Sequence, residues 1–220
     1  MKELLSYDDV LLLPRYSDIR SRREVSISTK LGNGLDLSLP IIASPMDTIS
    51  ETAMASTLGA LGGTAVVHRY NSPEMEARNV SMALDMAQMR SHKKIHVGAA
   101  IGVTDDYLTR AKKVLDAGAT YLCVDVAHGH HLMMKEALTT LRKEFGKDIH
   151  IMAGNVATLE GVNDLADWGA NSIRCNIGGG SICSTRVQTG HGVPGLHTIF
   201  DCVKTERDVW TRSGNIAIEF

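Results

Sequence analysis

The stretch ATYLCVDVAHGHHLMMKEALTTLRKEFGKDIHIMAGNVAT, residues 119–158, contains one whole strand–helix–strand unit. Residues 120–125 form a short apolar run, residues 131–145 repeat apolar side chains at helical spacing, Phe145-Gly146 supplies a stop, and residues 149–153 open another apolar run. Two short strands joined by a helical crossover run parallel, since antiparallel neighbours need only a hairpin. Outward from this unit, the same pattern predicts strands at 40–43, 64–68, 95–99 and 172–177, and helices at 51–61, 73–89, 105–117, 159–168 and 196–203. The stop recurs at Leu61-Gly62-Gly63, Ala117-Gly118-Ala119 and Trp168-Gly169-Ala170. A polar stretch, TERDVWTRSGN, and a terminal IAIEF with the pattern of one short strand follow.

Both a doubly wound sheet and a (β/α)8 barrel obey this wiring. Two features favour the barrel. Polar or glycine-rich residues follow nearly every strand (Ser44-Pro45-Met46-Asp47, His68-Arg69, Asp125 to His128, Gly154-Asn155, Gly178 to Ser181), whereas an open sheet gathers its site at one switch point. The first strand–helix turn also lacks GxGxxG. A complete barrel typically takes about 250 residues. The expected fold is therefore a single α/β domain over residues 1–220, an incomplete (β/α)8 TIM barrel with about six βα units.

A formal net charge of −2, with Lys and Arg scattered, argues against nucleic acid or an anionic membrane as partner and for a small ligand. The apolar run at 10–13 is preceded by acids and ended by Pro14, too short for a signal or a membrane span, so a cytoplasmic protein is expected. Cys123, Cys175, Cys183 and Cys202 have spacings of 52, 8 and 19, which match neither a metal knuckle nor a compact disulfide framework. Cys123 and Cys175 read as small buried hydrophobes. Met82, Met86 and Met89 read as core packing of their helix.

Cys183 sits differently, in NIGGGSICSTR, residues 176–186. Glycines after a strand let backbone N–H groups turn toward a phosphate, and Ser181 adds a hydroxyl. A cysteine two residues on, near Arg186, is placed to act as a thiolate nucleophile.

GGGSICSTRVQTGHGVP resembles the catalytic loop of the IMP dehydrogenase/GMP reductase family. SYDDVLLLPRYS, SPMDT, VDVAHGHH and IMAGNVAT resemble other family elements in the same order, so the likeness runs from residue 6 to about residue 203. It implies that Cys183 forms a covalent adduct at purine C2, with Thr185 beside the reacting substituent. By the same resemblance, Gly178, Gly180 and Ser181 bind the substrate phosphate region, Ser44 and Met46 touch the nucleotide, and Asn155 lines its pocket. Asp125, Ala127, His128 and Gly129 would face the cofactor, NADPH or NAD. Carbonyls of Gly178, Gly180 and Cys183 resemble a monovalent-cation (K+) loop, although Asn176 stands where a glycine is usual. A purine nucleoside monophosphate as ligand and a homo-oligomer, a tetramer in this family, are also implied.

The crowded histidines of DVAHGHH invite a metal reading, but a strand end entering a helix spreads such side chains apart. His68 and Arg69 read equally well as ligand contacts or as solvated loop.

The resemblance leaves two activities open. SPMDT and the HG of DVAHG look like the dehydrogenases, which oxidise IMP to XMP with NAD. SRREV, IMAGNV, the TG of TRVQTG and the DV of DVAHG look like the reductases, which convert GMP and NADPH to IMP and ammonia. The 26 residues 70–95 leave no space for a CBS pair, which leans the reading toward a reductase. The family's later ribose-binding aspartate, eighth-strand phosphate loop and catalytic flap find no counterpart, so a truncated, catalytically impaired nucleotide-binding or partner-binding homologue is the alternative of another class.

Overall fold

The computed structural model describes residues 3–205 and the backbone of residues 216–217. A small antiparallel hairpin, β1 (Thr29–Lys30) and β2 (Asp36–Leu37), precedes a parallel sheet. Its strands are β3 (Ile42–Ala43), β4 (Thr64–Val67), β5 (Gly98–Ile101), β6 (Tyr121–Asp125), β7 (His150–Val156), β8 (Ser172–Cys175) and β9 (Ile216–Ala217), hydrogen-bonded in sequence order. Helices α1 (Thr52–Leu61), α2 (Pro73–Gln88), α3 (Tyr107–Asp116), α4 (Leu132–Phe145) and α5 (Leu159–Asp167) link consecutive strands from β3 to β8. Two more, α6 (Thr185–Thr189) and α7 (Gly195–Cys202), follow β8. The sheet curls into a partial barrel, the expected incomplete (β/α)8 type. Of the polar stretch after α7 only Thr205 is described, and residues 218–220 also lie outside the described residues.

Two cores hold the curl. The outer one packs helices on sheet, with Ala55, Val80, Ala83, Ala111, Val114, Leu138, Leu141, Val162 and Leu165 against the outward side chains of the strands. The inner one joins Val66, Ala100, Tyr121, Cys123 and Met152 to Leu31, Leu35 and Leu37 of the hairpin. The hairpin thus plugs the N-terminal mouth of the curl, where His150 Nδ1 lies 3.1 Å from the Gly32 carbonyl and Asn33 donates to the Lys147 carbonyl at 2.8 Å.

The glycine stops work as expected: Gly62 and Gly118 adopt φ of 97° and 100°, a left-handed conformation that side chains resist. Elsewhere the structure corrects the sequence reading. The strand expected at 95–99 begins at Gly98, because β4 pairs with β5 only from Val66 onward. Met82 and Met89 are exposed, and the buried face of α2 is Glu76, Val80, Ala83 and Ala87 instead. Small residues let α2 approach the sheet closely, and Glu76 is admitted through its 2.7 Å ion pair with Arg110 of α3. The hairpin and α6 were not foreseen, because two-residue strands and a five-residue helix leave no periodicity to read.

Candidate active site at the C-terminal ends of the strands

Segments that follow the parallel strands meet at one end of the curl, the end where barrel enzymes build their sites. After β3, Ser44, Pro45 and Met46 turn into a tight loop: the Met46 carbonyl accepts from the Ser50 N–H at 2.9 Å, and the Ser50 hydroxyl donates to the Ser44 carbonyl. After β6, Val126 to Gly129 are laced to the end of β7, with Val126 N–H on the Gly154 carbonyl (3.0 Å), Asn155 N–H on the Val126 carbonyl (2.9 Å) and Gly129 N–H on the Asn155 carbonyl (2.7 Å). A side chain at residue 129 would place its Cβ 3.0 Å from that carbonyl oxygen and 3.1–3.2 Å from Gly154 backbone carbons, so the β7 backbone would have to give by a few tenths of an ångström to admit one.

Asn155 is the extra residue of a bulge: β7 pairs with β8 through Gly154↔Arg174 and then Val156↔Cys175. Bulges re-aim side chains at sheet ends. After β8 comes the glycine loop, where the Asn176 carboxamide packs against Gly179, the Gly180 carbonyl accepts the Cys183 N–H at 3.1 Å, and Ile177 bridges back to Val193.

These segments enclose a cleft of two adjoining lobes. The first, about 410 Å³, is lined by Ser44, Met46, Asp125, Ala127, Asn155, Gly178, Gly180, Cys183 and Thr185, so nine of the residues singled out in the sequence come together. Cys183 is half-buried there, while Cys123, Cys175 and Cys202 are buried. The second lobe, about 620 Å³, shares Ala127, Ile177 and Thr185 with the first and adds His128, His130, Val156, Thr158, His191 and Val193. Two expected residues fall outside both lobes. Gly129 contributes only its backbone contact to Asn155, and Ser181 lines a third hollow of about 430 Å³ that shares Asn176, Gly178 and Gly179 with the first lobe and adds Tyr7, Arg186 and Pro194.

Within the histidine cluster, the His128 and His131 rings pack edge to face with centroids 6.5 Å apart. His131 caps α4 by accepting the Met133 N–H, His130 pairs with Asp164 at 2.8 Å, and only His128 and His130 reach the cleft. No group of three His, Cys, Asp or Glu suited to a metal ion occurs among the described residues. His68 is no solvated loop residue: it is buried, 3.0 Å from Glu51, and its Nδ1 accepts the Tyr70 N–H.

Arg174 escaped the sequence reading. Only 4% exposed, it projects inward from β8, pairs with Asp125 and lies 3.4 Å from the Ser44 hydroxyl and 3.8 Å from Cys123 Sγ. The signal was present as an arginine inside the otherwise strand-like run SIRC, where a charge persists only with buried partners.

Comparison with known proteins agrees with the geometry. The model of the IMP dehydrogenase / GMP reductase domain matches residues 4–212. An inosine-5′-monophosphate dehydrogenase of Cryptosporidium parvum is 32% identical over 234 aligned positions, covering 90% of this chain and 57% of that protein. One of Nitrosopumilus maritimus is 26% identical over 324 positions, covering 94% of this chain and 68% of that protein. A GMP reductase of Leishmania major is 25% identical over 334 positions, covering 94% and 68%. The chain thus spans between somewhat over half and about two thirds of these relatives. Alignments longer than the chain's own 220 residues mark segments that those relatives carry and this sequence lacks.

Proposed function

The chain belongs to the IMP dehydrogenase / GMP reductase family, and from that premise we propose that its cleft carries out oxidoreduction at C2 of a purine 5′-monophosphate through a covalent bond to Cys183. The observation that carries this reading is the half-buried Cys183 on the wall of the first lobe, among Ser44, Met46, Asn155, Gly180 and Thr185. In this reading the purine lies in that lobe with C2 toward Cys183. Addition of the thiolate makes C2 tetrahedral, which divides one high barrier into two lower ones. Thr185, the first residue of α6, stands beside the group leaving or entering C2. Backbone groups of Gly178 and Gly180 face the phosphate. Ser181 lines the adjoining hollow that shares Gly178 and Gly179 with this lobe, and its hydroxyl and N–H join them in holding the phosphate.

The second lobe fits the nicotinamide riboside. Its volume falls in the usual range for ligand pockets, its walls include apolar Val156, Ile177 and Val193, and it opens on the first lobe at Ala127 and Thr185. The nicotinamide, when bound, supplies or accepts the hydride at C2. His128 lines it, Asp125 lies in the neighbouring first lobe beside Ala127, and the Gly129 N–H holds the Asn155 carbonyl. The glycine loop takes its shape from protein contacts, with the Gly180 carbonyl engaged by Cys183 N–H and Asn176 packed on Gly179.

Reductive deamination of GMP with NADPH is the direction favoured by the reductase-like motifs. Lack of an insertion does not sort the two activities: the Cryptosporidium dehydrogenase aligns compactly, and the Leishmania reductase needs the longer alignment. Oxidation of IMP with NAD is therefore kept as the second direction, supported by SPMDT. Purified protein should consume NADPH with GMP; NADH formed from IMP and NAD would select the other direction. Silence in both at high protein concentration, with a melting temperature raised by either nucleotide, would assign the chain as a nucleotide-binding homologue without turnover.

A further inference from the structure

On the wall of the second lobe stands an imidazole with one nitrogen committed to the protein and the other open. His130, in the turn before α4, lines this lobe, and its Nε2 lies 2.8 Å from Asp164 Oδ2 on α5. A carboxylate only accepts, so Nε2 carries the hydrogen and the neutral ring keeps its lone pair on Nδ1. No group among the described residues bonds Nδ1. The Trp168 indole holds the ring in a second direction, with centroids 5.9 Å apart and 34° between the planes. His191 of the same lobe is exposed and fixed only within its own turn, its Nδ1 2.8 Å from the Thr189 carbonyl. Of the lobe's three histidines, His130 is thus the one anchored by a separate helix.

We propose that His130 Nδ1 accepts the carboxamide N–H of the nicotinamide, and that Asp164 is a positioning residue acting through His130. The inference rests on the assignment of the nicotinamide riboside to this lobe made above. The nicotinamide ring carries one hydrogen-bonding substituent, a carboxamide with a donor NH2 and an acceptor oxygen. A fixed acceptor on a largely apolar wall takes the NH2 and not the oxygen, so it sets the ring's rotation about its glycosidic bond. One face of the ring is thereby turned toward the purine in the first lobe. Because Asp164 and Trp168 already hold the imidazole, little further ordering is needed on binding.

The test is calorimetric titration with NADP+, or with NAD+ where that is the dinucleotide bound, and with the 3-acetylpyridine analogue of the same dinucleotide. The analogue keeps the carbonyl and carries a methyl group in place of the NH2. The wild-type chain should bind the natural dinucleotide about tenfold more tightly than the analogue. His130→Phe, which keeps a ring against Trp168 without its nitrogens, should bring that ratio close to one by weakening the natural dinucleotide alone. The Asp164 carboxylate it leaves behind is 40% exposed and rehydrates. Asp164→Ala, which frees the ring to turn, should reduce the ratio about threefold. Adding it to His130→Phe should change nothing further, because both act on one contact. A His130→Phe protein that weakens both dinucleotides equally and keeps the ratio has lost packing alone, and overturns the inference. Loss of the ratio in His191→Phe but not in His130→Phe overturns it too. Should His130→Phe fail to fold, Asp164→Ala with an undiminished ratio decides against it. Equal wild-type affinities for the two dinucleotides reject this inference alone. No binding of NADP+ or of NAD+ rejects the ligand assignment, and this inference with it.

Discussion

Cys183, Gly129 and Arg174 show three ways in which one residue decides a site. Cys183 was legible in the sequence because a thiol in a polar glycine loop contrasts with thiols in apolar strands, and the structure keeps that contrast. Cys183→Ala should lower turnover by about 10³-fold or more while the melting-temperature shift given by GMP survives, since the residue is placed for chemistry rather than affinity. Gly129 was legible as a loop glycine but not as a close contact, which depends on the partner carbonyl of Asn155. Gly129→Ala should destabilise the protein by about 1–3 kcal/mol in denaturant unfolding, as overpacking does. Arg174 was hidden because its meaning lies in Ser44 and Asp125, 130 and 49 residues away in sequence.

Among the elements, the strand–helix alternation was readable because each unit carries its own periodicity and stop. The hairpin β1–β2 was not, since its stability comes from Leu31, Leu35 and Leu37 entering a core built by distant strands. Its docking sets a pH dependence. Burial holds the His150 imidazole down at about 4, between the Gly32 carbonyl and the 2.8 Å Ser172 hydroxyl contact. The neutral ring is the folded form. Its contribution is complete above the unfolded value near 6.5, and is lost as pH falls toward 4, in all about 3 kcal/mol. Unfolding free energies measured across that window should fall with pH, and His150→Gln should flatten the slope.

The clasp between α2 and α3 has the opposite sign. Burial pushes the Glu76 carboxyl up to about 8 despite Arg110, so its share of stability declines as pH rises from 4.5 toward 8. Arg110→Met, which leaves that carboxyl protonated and without its partner, should cost about 1–3 kcal/mol at neutral pH, and adding Glu76→Gln should change that loss little in a double-mutant cycle.

For the whole molecule, the curled sheet brings residues scattered from Ser44 to Thr185 onto one cleft. Order along the chain showed that these segments follow strands, and parallel topology then requires that they meet at one end. What the sequence did not resolve is the division of the cleft, with Ser181 outside it and His128 in the second lobe, because that depends on loop conformation rather than on residue type. No helix among the described residues is long and apolar enough to cross a membrane. A covalent bond between Cys183 and a purine is read directly by intact-protein mass spectrometry. The protein is quenched in acid during turnover with GMP and NADPH, or with IMP and NAD, and then digested to locate any adduct. A mass increase of one purine nucleotide is expected on the peptide containing Cys183, absent from Cys183→Ala. Turnover without an adduct, or an adduct on another residue, would contradict it.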